Sequence, residues 1–127
     1  MGNNIKISNQ KAFSLIEILI VLAIIGILLT IAIPNLFKAE EATRKRATEI
    51  EMRGIIASIY NYRLANYSLP KSLRDLVNEG YIKSSALTDE WGTEYKFELK
   101  GNKVIITSAG PDKKFNTKDD IVIEETF

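Results

Sequence analysis

Hydrophobic residues are concentrated in one stretch near the N-terminus, from Phe13 to Pro34. The only polar side chain between residues 18 and 33 is that of Thr30. A run of about 20 residues forms a helix of roughly 30 Å, which is enough to cross the hydrocarbon core of a bilayer. The pattern therefore predicts a membrane-spanning helix, with the carboxylate of Glu17 near its N-terminal end.

The helical pattern resumes after Pro34 and continues to about Asn66. Apolar residues recur there at steps of three and four, which places them on one face of a helix. They are Met52, Ile55, Ile56, Ile59, Tyr60 and Leu64. Pro34 lacks a backbone donor, so we expect it to kink the helix without ending it. We predict one helix from near Phe13 to about Asn66, roughly 80 Å long, with its second half covered by a domain.

The remaining residues predict a small domain with one short helix and an antiparallel sheet of about three strands. The helix is expected at Ser72–Glu79, with Ser72 as N-cap and Gly80 at its C-terminal end. Alternating apolar residues and turn residues between them predict the strands. These strands are Tyr95–Leu99, Val104–Ser108 and Ile121–Glu125. The fold class is therefore α+β.

Composition then narrows the possible functions. The chain has 127 residues, a net charge of +1, and neither cysteine nor histidine. Thiol nucleophiles, disulfides, most zinc sites and the commonest general base are therefore excluded, which argues against an enzyme. There is no basic excess and no nucleic-acid-binding motif, so we expect no nucleic acid partner.

The residues before the apolar stretch leave its processing open. A secretory signal peptide could be cut near Thr30 and Ala32, but the apolar stretch exceeds the usual ~7–15 residues and Pro34 follows it. An uncleaved signal anchor is a second interpretation. Basic residues flank both ends, so charge does not orient the span. The position of Glu17 near the end of the span is compatible with two interpretations: the carboxylate binds a partner, or lipid headgroups solvate it.

The residues around Glu17 resemble the class III signal of type IV pilins and pseudopilins. In that pattern a basic leader ends in a small residue, and Phe-(Ser/Thr)-Leu-(Ile/Leu)-Glu and an apolar helix follow. The segment FSLIE fits it at every position. The resemblance implies that a prepilin peptidase cleaves between Ala12 and Phe13 and that the new Phe13 amine is N-methylated. Ala12 stands where glycine is usual, and we expect processing to survive this change.

The same resemblance implies a role for the carboxylate in assembly. Glu17 of one subunit would pair with the Phe13 amine of a neighbouring subunit and set the register of a filament. In low dielectric such a pair attracts far more strongly than in water. Buried pairs often contribute specificity more than stability, which suits a register role.

A polar loop near the C-terminus contains three carboxylates, Asp112, Asp119 and Asp120. Carboxylate, amide and backbone oxygens are suitable ligands for a hard cation, above all calcium. The spacing is not that of an EF-hand, and three lysines in the loop offset its negative charge. A solvated loop without a metal is the alternative. A small domain without disulfides does, however, often need a metal to stabilise it.

This loop resembles the calcium loop of the major pseudopilins of type II secretion systems. Its pattern is S-x-G-x-D followed by D-D-x-x-(I/V), which this chain matches from Ser108 to Ile123. A preceding D-P-W-G-x-P-Y element is matched at Asp89–Tyr95, with glutamate in place of both prolines. The resemblance implies calcium bound by Asp112, Asp119 and Asp120. It also implies the backbone carbonyls of Ala109 and Ile123 as further ligands.

Together these resemblances imply a pilin-like fold and a structural role as the major pseudopilin of a type II secretion pseudopilus, which helps to export folded proteins. Residues 1–12 would be a cleaved leader, residues 13–34 the membrane and assembly half of the long helix, and residues 35–127 a periplasmic domain. The chain would lie in the inner membrane, with a single pass, before it joins a helical filament of identical subunits. The implied partners are the prepilin peptidase, other pseudopilins and an inner-membrane assembly platform.

Two alternatives remain from the sequence. The chain could be a type IV pilin of a surface fibre, since the N-terminal signal is common to both classes. The Asp-rich loop and the absence of a C-terminal cysteine pair favour the pseudopilin. The other alternative is an enzyme or binding module that uses the span only as a tether, which the lack of cysteine and histidine disfavours.

Overall fold

The computed structural model describes residues 13–127. The predicted leader, including Ala12, lies outside these residues. The chain divides into two compact units, Met1–Lys38 and Ala39–Phe127. The predicted long helix is present as α1, Leu15–Asn66, and it continues through Pro34. Its N-terminal part is long and apolar enough to cross a membrane.

The second unit contains the C-terminal half of α1, a short helix and one sheet. Helix α2 covers Leu73–Asn78, and a single 3-10 turn follows at Ser84–Leu87. The strands are β1, Lys96–Lys100, β2, Lys103–Ser108, and β3, Ile121–Thr126. They form an antiparallel sheet in the order β1-β2-β3. The predicted elements are confirmed, with boundaries that differ by one or two residues.

Both ends of α2 follow the predicted capping chemistry. The backbone N–H of Asp75 donates to the hydroxyl of Ser72 at 3.3 Å, and the Asp75 carboxylate accepts from the N–H of Lys71 at 3.1 Å. At the C-terminal end Gly80 has a φ of 80°, and the N–H of Tyr81 donates to the Leu76 carbonyl at 2.8 Å. Local hydrogen bonds therefore set the limits of this helix.

The core of the second unit lies between one face of α1, α2 and the sheet. Its buried members are Met52, Ile55, Ile56, Ile59, Leu73, Leu76, Tyr95, Val104 and Ile106. A row of side chains across the sheet, Phe97, Ile106 and Ile123, contributes to it through the strand register. The helix therefore packs on an apolar sheet face, as its periodicity predicts.

Two residues of the predicted apolar stripe lie outside this core. Tyr60 is 40% exposed and Leu64 is 75% exposed, whereas Thr48 is fully buried. The Tyr60 hydroxyl donates to Glu125 at 2.8 Å, and its ring packs on Phe127 with 4.5 Å between ring centroids. Tyr60 thus lies at the margin of the sheet. Leu64 is too far around the helix axis from Ile59 to reach the same face.

Candidate functional site

Glu17 lies in the first turn of α1, among exposed apolar side chains. Its backbone N–H donates to the Ser14 hydroxyl at 3.3 Å and to the Ser14 carbonyl at 3.1 Å, so Ser14 begins the helix. Phe13 is 79% exposed, and Glu17 is exposed as well. Within residues 13–127 Glu17 makes no ion pair. A charged carboxylate on an apolar helix is costly in a membrane unless it is paired, so Glu17 is a candidate to bind a cationic group of another molecule.

The Asp-rich loop places two of its three carboxylates around one hydroxyl. Asp112 Oδ1 accepts from the N–H of Lys114 at 3.0 Å, while Asp120 accepts from the N–H of Asn116 at 2.8 Å and from the Thr117 hydroxyl at 3.3 Å. The backbone N–H of Lys114 and the Thr117 hydroxyl lower the pKa of Asp112 below its usual range. Both carboxylates are therefore held in this loop, with Asp112 in its charged form.

The third carboxylate, Asp119, belongs to a residue whose backbone lies directly against Gly110. A Cβ atom at Gly110 would overlap the carbonyl oxygen of Asp119, and Gly110 has a φ of 74°. The two ends of the loop thus meet through backbone atoms. Position 110 therefore favours glycine, because any other residue would place a Cβ atom in this contact.

The donor chemistry of the loop fits a hard cation, because it consists of carboxylate and backbone oxygens. Within residues 13–127, however, no group of three or more acidic side chains is arranged to hold a metal ion. Ala109 is buried where the loop begins, and Ile123 lies in β3 opposite Ile106. The structure therefore brings together Asp112 and Asp120, but not the complete set of predicted ligands.

A buried aspartate, Asp89, connects this loop to the preceding turn. Its Oδ1 accepts from the N–H groups of Trp91 and Thr93 at 3.0 and 2.9 Å. Its Oδ2 accepts from the Ser108 hydroxyl at 2.7 Å, and Ser108 Oγ in turn accepts from the N–H of Gly110 at 3.2 Å. Asp89 is only 5% exposed. The sequence predicted no role for Asp89; the signal that could have indicated one is the position of an aspartate at the start of a glycine-containing turn, where its side chain can accept from backbone N–H groups that follow.

Comparison with known proteins adds to this geometry. Residues 7–33 match the family model of the prokaryotic N-terminal methylation motif. Residues 35–125 match the model of type II secretion system (T2SS), protein G. The chain belongs to the type II secretion system protein G family. In this member of the family, the fold consists of the long helix α1, the short helix α2 and the three-stranded sheet.

Individual relatives support the family assignment over most of the chain. Type II secretion system core protein G of Escherichia coli K12 is 32% identical over 88% of this chain and 89% of its own length. Competence protein ComGC of Bacillus subtilis is 36% identical over 80% of this chain and 93% of its own length.

A solved structure supports the fold independently. It is the crystal structure of the major pseudopilin from the type 2 secretion system of enterohaemorrhagic Escherichia coli. The superposition has a TM-score of 0.60 at 28% identity, and it covers 70% of this chain and 93% of that chain. The predicted pilin-like fold is therefore confirmed for this protein G family member.

Proposed function

We propose that this chain is the major pseudopilin of a type II secretion system, the repeating subunit of a pseudopilus that helps to export folded proteins. The single observation that carries the proposal is the exposed apolar part of α1, with a carboxylate in its first turn, that of Glu17, which makes no ion pair within residues 13–127. A surface of this kind is stable in a membrane or against copies of itself, but not in water. The proposed role is structural and requires no catalytic residue.

Processing and assembly follow from the N-terminal residues. A prepilin peptidase would cleave after Ala12 and leave a methylated, positively charged amine on Phe13. Phe13 and Glu17 are four positions apart, which corresponds to about 6 Å along a helix axis. A neighbouring subunit displaced by about this distance along the axis would place its Phe13 amine at the depth of Glu17. Neighbouring subunits that pair these groups in an apolar environment would be held in one register.

The proposed location follows from the same features. The apolar part of α1 would anchor each subunit in the inner membrane, and the second unit, Ala39–Phe127, would lie in the periplasm. Partners would be further copies of the chain, other pseudopilins, the peptidase and an inner-membrane assembly platform. A separate motor would supply the energy, since the sequence contains no P-loop.

Replacing Glu17 by alanine tests this proposal. We expect the variant to enter the membrane as the wild type does, because the change removes a charge from an apolar span. We expect filament yield to fall at least about tenfold, because the loss of a charge pair of about 1.4 kcal/mol or more changes an equilibrium tenfold. Sheared filaments and membrane fractions would be quantified by immunoblot.

Glu49→Ala is the matched control, since Glu49 is an exposed glutamate of α1 without an ion pair in residues 13–127. It should assemble normally. Wild-type filament yield from Glu17→Ala would contradict the proposed pairing.

A competence pseudopilus is a second candidate function. The observation that favours it is the 36% identity to Competence protein ComGC of Bacillus subtilis over 80% of this chain. Deletion of the gene separates the candidates. Loss of protein secretion with intact competence supports the secretion pseudopilus, whereas the reverse result supports the competence pseudopilus.

We further propose that the Asp-rich loop binds calcium through Asp112, Asp119 and Asp120, with the carbonyls of Ala109 and Ile123 as further ligands. The carboxylate and backbone oxygens of the loop, with Asp112 and Asp120 both held by hydrogen bonds within it, support this proposal. A bound cation would offset the carboxylate charge and hold the two ends of the loop together.

Calcium titration of the full-length protein in detergent tests the site. We expect heat of binding by calorimetry and a stabilisation of about 2–3 kcal/mol when free calcium exceeds Kd about 100-fold. A chelator should reverse the stabilisation, and Asp120→Asn should weaken binding. The absence of both heat and a change in Tm would rule out the site.

A further inference from the structure

The side of α1 that faces away from the core carries a regular row of exposed residues, which we call the outward stripe. Its members follow one another at steps of three, four and seven positions, as in one seam of a coiled coil. They are Arg46, Ile50, Arg53, Ala57 and Leu64. Ile50 is 69% exposed and Leu64 is 75% exposed. The outward stripe therefore joins large apolar side chains to two arginines.

The position of the outward stripe follows from helical geometry. Successive residues turn by about 100° around a helix axis, so Ile50 lies about 160° from Met52. Met52 and Ile59 are fully buried in the core. Neither Arg46 nor Arg53 makes an ion pair within residues 13–127. Arg53 and Ala57 border a groove that Tyr60 and Glu125 also line, but no ion pair within residues 13–127 neutralises either arginine of the outward stripe.

An excess of negative charge lies on another side of the same unit. The carboxyl groups of Glu51 and Glu90 are neighbours, and we call them the acidic pair. Tyr95 donates its hydroxyl to Glu51 at 3.2 Å, and the N–H of Glu90 donates to Thr48 at 3.4 Å. Partial burial and the Glu90 carboxyl raise the pKa of Glu51, with a further contribution from Asp89.

The acidic pair lacks a cation of its own. Glu51 and Glu90 take part in none of the ion pairs within residues 13–127. Both side chains are exposed, so a cation from another molecule can reach them. Trp91 follows Glu90 and is half-buried, which leaves part of its ring available for apolar or cation–π contact.

We propose that the outward stripe of one copy of this chain packs against the acidic pair of a second copy. Arg53 would bind the carboxylates of Glu51 and Glu90 with the planar fork of its guanidinium group, and Ile50 would lie near Trp91. This inference rests on the proposed function, because it identifies a contact between copies within the filament.

The geometry also determines the symmetry of this contact. Glu51 and Arg53 are two positions apart on α1, which separates them by about 160° around the axis. The two surfaces therefore cannot neutralise each other within one chain or meet in a back-to-back dimer. A contact between two different surfaces is head-to-tail, and such contacts produce open helical assemblies when the rotation does not close a ring.

Cysteine cross-linking tests the contact without interference, since the chain contains no native cysteine. Full-length Ala57→Cys and Glu90→Cys chains with different tags would be co-expressed and treated with a bifunctional maleimide. Ala57 is a small exposed residue one turn beyond Arg53, so this change disturbs the surface little. We expect mixed dimers from the two variants together and few dimers from either variant alone.

A charge exchange provides the second measurement. Arg53→Glu should reduce sheared filaments at least about tenfold, and combining it with Glu90→Arg should restore them. Lys100→Glu makes the same change of charge at the exposed last residue of β1, which belongs to neither surface, and should assemble like the wild type. Restoration by the second substitution is a result that simple loss of folding would not produce.

The outcomes separate this contact from the proposed function. Wild-type filaments together with predominant Ala57→Cys homodimers, or with no effect of Arg53→Glu, would overturn the contact while the filament role stands. If the wild-type chain itself forms no filament, both the proposed function and this contact are wrong.

Discussion

Asp89→Ala is expected to lower the free energy of unfolding of the second unit by about 3 kcal/mol, because a buried charged acceptor with three hydrogen bonds is lost. The N–H groups of Trp91 and Thr93 and the hydroxyl of Ser108 would be left without this partner. Ser108 also accepts from Gly110, so the disturbance reaches the start of the Asp-rich loop. The turn and the loop should therefore loosen together.

Unfolding in urea, followed through the fluorescence of Trp91, measures this effect locally, because Trp91 is the single tryptophan of the chain. Asp89→Asn is the control. Its amide oxygen can still accept both backbone N–H groups, so we expect a smaller loss of about 1 kcal/mol. Equal losses from both variants would show that the backbone hydrogen bonds of Asp89 do not stabilise the turn.

Gly110→Ala is expected to destabilise the second unit by about 2–5 kcal/mol. A left-handed backbone costs a non-glycine residue about 1–2 kcal/mol, and forced overlap in a packed site adds about 1–3 kcal/mol. Position 110 combines both effects, with a φ of 74° and a Cβ that would overlap the Asp119 carbonyl oxygen. The same overlap would displace Asp119 and so weaken the calcium binding that we propose for the loop.

Gly101→Ala separates the two causes. Gly101 has a φ of 61°, but nothing lies within 4 Å of the added Cβ atom. It should therefore show only the backbone cost of about 1–2 kcal/mol. Thermal unfolding of the two variants under identical conditions gives the comparison. Equal Tm values would mean that the Asp119 backbone moves away from the added Cβ atom without loss of stability.

Elements with strong local signals were predicted well. The apolar run and the three-and-four periodicity predicted α1, and Ser72 and Gly80 predicted the ends of α2. The hairpin of β1 and β2 follows from alternating residues around a glycine-containing turn. In each case the decisive residues are neighbours in the chain, so their preferences act before any tertiary contact forms.

The predictions failed where a residue's surroundings depend on distant segments. Periodicity grouped Tyr60 and Leu64 with the core residues, because Tyr60 lies four positions after Ile56 and Leu64 four positions after Tyr60. The actual limit of the core is set by the sheet, whose margin passes Tyr60 at Glu125 and Phe127. The convergence of Asp112 and Asp120 also depends on how the loop folds back on itself, and spacing alone does not specify this.

The sequence by itself determined the apolar span, the position of Glu17 within it and the α+β order of elements. These properties depend on composition and on spacings of a few residues, which act within one helix or one hairpin. Only the tertiary structure decided that Asp89 is buried against Ser108, 19 positions away, and that Gly110 meets the backbone of Asp119. It also decided which side of α1 stays exposed, because a helix buries only the face that a sheet happens to cover.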